Sequence, residues 1–316
     1  MSSRHLIDPE LVAGLEMLPA IDFSDTQVPL VREQMAAMMV NLEVAVPDGV
    51  AVEERTIRSP EGHEVGIVIT TPIKSAAARP AVLHIHGGGY VIGSAAAMNT
   101  ANHQLVLDAD CVVVSVDYRL APETAHPGPV EDCYTGLKWL HDNAASLGVD
   151  SQRIAVSGES AGGGLAAALA LLARDRGEVK LIHQHLIYPM IDDRTCVAEP
   201  HPYTGEFVWT PTSNHYGWTA LLGHEPGREG VSPYAAASRA ENLSGLPNTY
   251  IAVGAMDLFI EEDLEYARRL IRAGVPTELH VYPGAYHGFD LAAGAHIVQK
   301  ASSNSLTALR RALHPA

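Results

Sequence analysis

The chain has 316 residues and a formal net charge of −16 at neutral pH, with 47% hydrophobic and 18% charged residues. This composition is typical of a globular protein that can bury a substantial core, in one large domain or two smaller ones. The acidic balance, which no basic cluster interrupts, argues against nucleic acid or an anionic membrane as a partner.

The amino-terminal segment does not resemble a secretory signal. Asp8 and Glu16 interrupt its apolar stretch, and no charged region precedes an apolar core. No later apolar run is long enough to span a membrane, so the sequence predicts a cytoplasmic protein. The three cysteines are widely spaced and form no C-x-x-C, which argues against a disulfide framework or a zinc knuckle.

The first predicted elements are helices within residues 8–42. Leu11, Leu15, Met35 and Met38 belong to an apolar series with helical spacing. The methionines fit ordinary packing, or alternatively a mobile lid over a hydrophobic pocket.

Alternating strands and helices follow. Strand-like segments lie at 51–60, 64–71, 81–86, 111–117, 153–158, 181–189, 248–254 and 277–283, and helical patterns at 98–109, 129–145, 160–175, 261–273 and 296–313. The first two strands alternate as antiparallel strands do. The alternation that follows predicts an α/β fold, in which a parallel sheet carries helices on both faces. Ligands of such sheets bind beyond the carboxyl ends of the strands.

A glycine-rich loop comes directly after the strand AVLHI. In the run His86-Gly87-Gly88-Gly89-Tyr90, three successive residues lack a Cβ, so their backbone N–H groups are open to an approaching oxygen. His84 and His86 alternate on the strand without a neighbouring carboxylate, which favours a structural role over a metal pair. We predict no metal site and no cofactor.

Residues 153–171, RIAVSGESAGGGLAAALAL, place Ser160 between a strand and a helix. This context and the spacing G-x-S-x-G are typical of a nucleophile elbow, a strained turn that exposes the serine at the sheet's carboxyl edge. Gly158 and Gly162 leave room on either side of the turn. Gly163 and Gly164 let the helix lie close to neighbouring strands. The start of the helix adds partial positive charge and free N–H donors.

Residues 190–235 do not fit the alternation of strands and helices. They contain Phe207, Trp209, Tyr216 and Trp218 among several prolines. We expect this insertion to pack with the amino-terminal helices as a cap. The sequence thus predicts three parts: cap helices at 1–45, a catalytic domain at 46–189 and 236–316, and a second cap segment at 190–235.

A serine nucleophile needs a base and an orienting carboxylate. His287 lies just beyond the strand TELHVY, at the same edge as Ser160, whereas His183, His185 and His280 lie inside strands. Asp257 follows the strand NTYIAVG. Asp192 and Asp193 follow another strand and are its rivals, but Asp257 directly precedes the histidine's strand and helix. The order Ser, Asp, His is the one that the elbow motif predicts.

Together these stretches resemble the hormone-sensitive-lipase-like family of α/β-hydrolases. The matching motifs are residues 86–90 (HGGGY), 117–123 (DYRLAPE), 158–163 (GESAGG), Asp257 and 287–289 (HGF). The likeness covers essentially the whole chain. Within the family, LAPET, GPVEDCY and SAGGGLAA most resemble bacterial carboxylesterases of the heroin-esterase kind.

The resemblance implies a mostly parallel eight-stranded sheet with a helical cap. It implies Ser160 as nucleophile, His287 as base and Asp257 as orienting acid. It assigns the oxyanion hole to the backbone N–H groups of Gly88, Gly89 and Ala161. It also implies that Asp117 and Arg119 hold the loops around the site, and that a homodimer can form.

Two positions depart from the family pattern. The acid is followed by Leu258 and Phe259 instead of Pro-Leu, so the proline that helps to shape this loop is missing. The residue before the nucleophile is Glu159 instead of Asp or Thr. We expect its carboxylate to stabilise the helix amino terminus, in preference to binding a cap residue.

The predicted function is that of a serine carboxylesterase that acts on small ester molecules with short-chain or aryl acyl groups. Two alternatives stay open: a non-catalytic ligand receptor on the same scaffold, and an amidase, peptidase or acyltransferase with the same triad. The residues expected to form the pocket walls are Met35, Met38, Met39, Phe207, Trp209 and Trp218.

Overall fold

The computed structural model describes residues 2–17, 22–41, 45–74 and 78–315. Within these residues eight strands form one sheet in the order β1-β2-β4-β3-β5-β6-β7-β8. The strands are β1 (Val50–Arg58), β2 (Glu64–Pro72), β3 (Arg79–Ile85), β4 (Val112–Asp117), β5 (Val149–Glu159), β6 (Leu181–Ile187), β7 (Asn248–Gly254) and β8 (Thr277–Tyr282). The helices are α1 (Val12–Met17), α2 (Gln27–Asn41), α3 (Asn99–Ala109), α4 (Gly128–Asp142), α5 (Ala161–Arg176), α6 (Pro211–Leu222), α7 (Ile260–Arg272) and α8 (His296–Leu313).

The pairing of the strands confirms the predicted, mostly parallel sheet. β1 pairs with β2 and β2 with β4 in antiparallel fashion, and all the other neighbours are parallel. Because β3, β5, β7 and β8 run in the same direction, the loops that follow them meet at one edge of the sheet.

Helices cover both faces of the sheet, because the central strands carry buried apolar side chains on both faces. Val113 of β4 packs in one hydrophobic cluster with Val106 of α3 and Leu309 of α8. Its neighbour Val114 packs in another cluster with Leu165 of α5. Successive side chains of a strand point to opposite faces, so the two clusters lie on opposite sides of the sheet.

The two segments that the sequence assigns to a cap contact each other. The backbone N–H of Ser3 donates a hydrogen bond to the Glu206 carboxylate at 2.5 Å. The Tyr216 hydroxyl donates one to Asp25 at 2.9 Å. These contacts fit the expected packing, and the division into domains stays a prediction.

Residues 190–235 contain a helix that the sequence analysis did not assign. Helix α6 begins after Thr210, whose hydroxyl accepts a hydrogen bond from the N–H of Ser213 at 3.2 Å. Trp218 of this helix is fully buried and packs against Tyr90, with the ring centroids 5.3 Å apart. Through Trp218, this helix contributes to the hydrophobic core of the molecule as well as to its predicted cap.

One arginine ties helix α2 to the catalytic edge of the sheet. Arg32 donates hydrogen bonds to the backbone oxygens of Val91 and Ala121, both at 2.7 Å. Its guanidinium also pairs with Glu123 at 2.8 Å. The contact to Val91 holds α2 against the loop that follows β3.

Candidate active site

Ser160 lies at the turn between β5 and α5 in a conformation that side chains rarely adopt. Its φ and ψ angles are 55° and −122°. A Cβ at Gly158 would lie 2.3 Å from the Gly162 oxygen, and one at Gly162 would lie 2.1 Å from the Ile85 oxygen. The turn therefore requires glycine on both sides of the serine, as the motif predicts.

The next two glycines bring α5 close to the loop that follows β6. A Cβ at Gly163 would lie 2.9 Å from the Pro189 side chain, and one at Gly164 would lie 2.0 Å from the Met190 oxygen. Both distances are below any real Cβ contact. The close packing that the glycine run predicts is therefore present.

The structure brings together the three side chains predicted to form the triad. Ser160 Oγ lies 2.9 Å from His287 Nε2, and His287 Nδ1 lies 2.8 Å from Asp257 Oδ2. The Asp257 carboxylate accepts Nδ1–H, which leaves Nε2 free to accept the serine proton. All three residues are buried.

The carboxylate of Asp257 is held in place without the family's proline. Its Oδ1 accepts a hydrogen bond from the backbone N–H of Phe259 at 3.0 Å, and its Oδ2 faces His287. The rivals have other partners: Asp193 pairs with Arg239 at 2.7 Å and Asp192 pairs with Arg194 at 2.7 Å.

Aromatic rings restrict the imidazole of His287. Tyr188 and Phe259 approach it edge-on, with centroid distances of 4.7 and 5.2 Å. Trp209 lies 6.2 Å away. This packing limits rotation of the ring and preserves its hydrogen bonds to Ser160 and Asp257.

Gly88 and Gly89, the predicted backbone donors, adopt conformations that few other residues can adopt. Their φ angles are 119° and 59°, in the region that favours glycine. Among the described residues no acceptor takes the N–H of either glycine. Ala161 is the first residue of α5, where backbone N–H groups have no intrahelical acceptor.

Buried side chains support the glycine loop. The Tyr90 hydroxyl donates to the Met190 oxygen at 2.7 Å, and the Tyr118 hydroxyl donates to the His86 oxygen at 2.9 Å. His86 donates from Nδ1 to the Gly87 oxygen at 2.8 Å. Burial lowers the pKa of His86 to about 4, so its imidazole is neutral at pH 7.

Asp117 and Arg119 act on loops, in the way that the resemblance implies. The Asp117 carboxylate accepts the backbone N–H of Ala95 at 2.9 Å. Arg119 forms a two-pronged ion pair with the fully buried Asp132 of α4, at 2.8 and 2.9 Å. Neither side chain lines the pocket described below.

The expectation for Glu159 was wrong. Its carboxylate does not cap α5 and does not bind a cap residue. It lies 3.0 and 3.1 Å from Nε2 of the buried His84 in β3. Glu159 is the last residue of β5, so its side chain reaches the neighbouring strand instead of turning toward the helix.

Ser160 opens into a pocket of about 440 Å³. The pocket is lined by Phe23, Met35, His86, Gly87, Gly88, Gly89, Ile92, Gly93, Ser94, Ala97, Met98, Glu159, Ser160, Tyr188, Val208, Trp209, His287, Gly288, Asp290 and Leu291. A cavity of this size suits a small organic molecule.

The predicted pocket walls are right for Met35 and Trp209 and wrong for three other residues. Met38 is 70% exposed, and Trp218 is fully buried against Tyr90. Phe207 packs near Tyr286, with the ring centroids 6.4 Å apart, and does not line the pocket. The side chain of Met39 lies outside the described part of the chain.

Sequence reasoning missed Tyr188 and Asp290. The Tyr188 hydroxyl donates to Asp290 Oδ1 at 2.7 Å, and both residues line the pocket. Burial raises the pKa of both groups. A signal was available, because Tyr188 directly follows β6 and Asp290 follows His287 by three positions, both at the catalytic edge.

In the described ranges no three His, Cys, Asp or Glu side chains are grouped to hold a metal ion. All three cysteines are free thiols, and Cys111 and Cys133 are buried. Of the helices described above, none combines the length and apolar character that crossing a bilayer requires.

Comparisons with known proteins agree with this geometry. A family model described as "alpha/beta hydrolase fold" matches residues 82–291. The chain is 34% identical to "Esterase LipI" of Mycobacterium tuberculosis (strain ATCC 25618 / H37Rv). The alignment covers 98% of this chain and 97% of the relative. It is also 33% identical to an "Arylesterase" of Saccharolobus solfataricus, in an alignment that covers 90% of this chain and 92% of the relative.

Among solved structures, "Bacterial Heroin Esterase" superposes on this chain with a TM-score of 0.92 and is 40% identical to it. The superposition covers 99% of this chain and all of that structure. The likeness extends over sheet, elbow and cap segments together. The chain is therefore a member of the hormone-sensitive-lipase-like family of α/β-hydrolases.

Proposed function

We propose that this chain is a serine carboxylesterase. In this proposal Ser160 is the nucleophile, His287 the general base and Asp257 the residue that orients it. One observation carries it: an unbroken hydrogen-bonded chain, with links of 2.9 and 2.8 Å, joins these side chains at a pocket. The esterases among the relatives add support.

The geometry suits a two-step acyl transfer. His287 Nε2 takes the proton of Ser160 Oγ while the oxygen attacks the ester carbonyl carbon. The negative charge on the carbonyl oxygen is stabilised by the N–H groups of Gly88, Gly89 and Ala161, as the oxyanion hole. The alcohol leaves with the proton from His287, and water then releases the acid by the same steps. No cofactor takes part in this reaction scheme.

We propose small esters with short-chain or aryl acyl groups as the substrates. The cavity of about 440 Å³ has room for a compact molecule. Its aromatic walls, Phe23, Tyr188 and Trp209, offer flat apolar surfaces to a short or aryl group.

Replacement of the nucleophile tests the proposal. We expect Ser160→Ala to lose turnover of p-nitrophenyl acetate, with the circular dichroism spectrum and thermal unfolding of the wild type. In wild-type protein, kcat/KM over acyl lengths from C2 to C12 is expected to be highest for the short chains. Undiminished turnover by the alanine variant would contradict the role of Ser160, and a maximum at C12 would contradict the substrate class.

Two further measurements separate the alternatives. A fluorophosphonate probe should label Ser160 of the wild type and leave the alanine variant unlabelled, whereas a non-catalytic receptor would be unlabelled in both. An ester and an amide with the same acyl group, compared by kcat/KM, distinguish an esterase from an amidase. We expect the ester to be preferred, since no described side chain stands out as a dedicated proton donor for a leaving amine.

A cytoplasmic location, a homodimer and the three-part cap and domain division are further proposals. Strand β8 lies at the edge of the sheet, where unpaired backbone groups can accept a second strand. Cell fractionation tests the location, light scattering tests the oligomer, and limited proteolysis tests the domain boundaries.

A further inference from the structure

The pocket at Ser160 combines an apolar wall with negative charge. Among the described residues that line it, the carboxylates are Glu159 and Asp290, and no lysine or arginine lines it. His86, another lining residue, is neutral because it is buried. Glu159 is therefore the carboxylate available to a bound cation, since Asp290 is hydrogen-bonded to Tyr188 and burial raises its pKa.

A chain of buried hydrogen bonds holds the Glu159 carboxylate in place. Asn102 Nδ2 donates to Ser115 Oγ at 2.9 Å, so the single hydroxyl hydrogen of Ser115 is left for His84 Nδ1, which is 3.5 Å away. The other ring nitrogen of His84, Nε2, faces Glu159 and donates to its carboxylate. This chain of hydrogen bonds fixes the Glu159 carboxylate directly beside the nucleophile, at the wall of the pocket.

Several aromatic side chains line the same pocket. Trp209 and Phe23 lie with their centroids 5.7 Å apart, and Tyr188 lines the same cavity. Aromatic faces attract organic cations through the ring quadrupole, and they also accommodate the methyl groups of an ammonium ion. A carboxylate and several aromatic faces together form the kind of environment that binds quaternary ammonium groups.

We propose that this pocket prefers esters that carry a quaternary or tertiary ammonium group over uncharged esters of the same shape. This inference rests on the proposed esterase function, and it names the substrate class of the same site. It also predicts that esters bearing a carboxylate are the poorest substrates, because Glu159 repels them.

Two pairs of isosteric esters test the proposal. Acetylcholine and 3,3-dimethylbutyl acetate differ by one charge in the alcohol. The ethyl ester of glycine betaine and ethyl 3,3-dimethylbutanoate differ by one charge in the acyl group. The measured quantity is the ratio of kcat/KM, cationic over neutral, in wild type and in Glu159→Gln. The comparison of ratios cancels the intrinsic reactivity of each ester and any general loss of activity in the variant.

We expect the ratio for at least one pair to fall about tenfold in Glu159→Gln. Two unit charges roughly 6 Å apart at an effective dielectric constant of about 40 produce a difference of this size. Glu64→Gln is the matched control, because it removes the same charge from the exposed start of β2. The control should leave both ratios at the wild-type value.

Binding by the Ser160→Ala protein, measured by calorimetry, separates this proposal from the esterase function. Tighter binding of the cationic ester, reduced by adding Glu159→Gln, supports the cation preference even if the wild type hydrolyses neither ester. If the wild type hydrolyses the neutral esters but neither ratio changes in Glu159→Gln, the cation preference is wrong and the esterase function stands.

Discussion

The close contact between β3 and α5 leads to a prediction for Gly162→Ala. The added Cβ would lie 2.1 Å from the Ile85 oxygen and 2.5 Å from the His86 oxygen. Ordinary contact begins at 3.4 Å, so the helix and the strand end must separate by about 1.3 Å, the difference between 3.4 and 2.1 Å. Both opposing atoms belong to the backbone, and no rotation of a side chain can relieve the overlap.

Stability and activity should both fall. Overpacking against backbone atoms costs about 3 kcal/mol, from which the better helix propensity of alanine removes about 1 kcal/mol. We therefore expect the free energy of unfolding to decrease by about 2 kcal/mol. His86 directly precedes the glycine loop, so the separation also moves Gly88 and Gly89 away from Ser160. A displacement of about 1 Å in an active site can cost about 100-fold in rate.

Urea unfolding, followed by circular dichroism, measures the free energy of unfolding of Gly162→Ala. Its activity is measured as kcat/KM for p-nitrophenyl acetate. Gly177→Ala is the matched control at the other end of α5. Gly177 has a φ of +69° and no atom within 4 Å of its would-be Cβ. This variant should lose about 1 kcal/mol from backbone strain and keep full activity. If Gly162→Ala were more stable than the wild type and fully active, the tight approach would be refuted.

Two further predictions concern the surroundings of the site. Burial raises the pKa of Asp263 above its ordinary 3.8, so the folded protein keeps a proton that the unfolded chain loses. The free energy of unfolding of Asp263→Asn minus that of the wild type should therefore increase with pH, by about 1.4 kcal/mol per unit, from about pH 4 up to the folded-state pKa. A constant difference in urea titrations between pH 4 and 8 would contradict this. Trp209→Ala should cost about 3–5 kcal/mol of stability and move the highest kcat/KM to longer acyl chains, because the indole packs against Gly89 and closes the pocket. An unchanged chain-length profile would show that the indole does not limit the pocket.

The positions of the strands and of the candidate triad residues were predictable because they depend on local patterns. Apolar runs of four to eight residues, separated by helical periodicity, indicate a parallel sheet. A parallel sheet brings the residues after its strands to one edge. Ser160, Asp257 and His287 each follow a strand, so their meeting could be inferred without coordinates.

The partner of Glu159 and the walls of the pocket could not be predicted in this way. The pairing of Glu159 with His84 depends on the register between β5 and β3, which no short stretch of sequence specifies. Helix α6 was missed because its apolar residues are spread around the helix, so it has no clear polar face.

Local periodicity and turn chemistry belong to a few neighbouring residues, and these are readable along the chain: the strands, the helices and the serine elbow. Contacts between distant segments depend on how whole elements pack. Phe23 and Trp209 meet across 186 positions only because the segment before α2 and the segment before α6 fold over the same edge of the sheet. The catalytic edge therefore follows from local sequence, whereas the shape and charge of the pocket above it follow from tertiary packing.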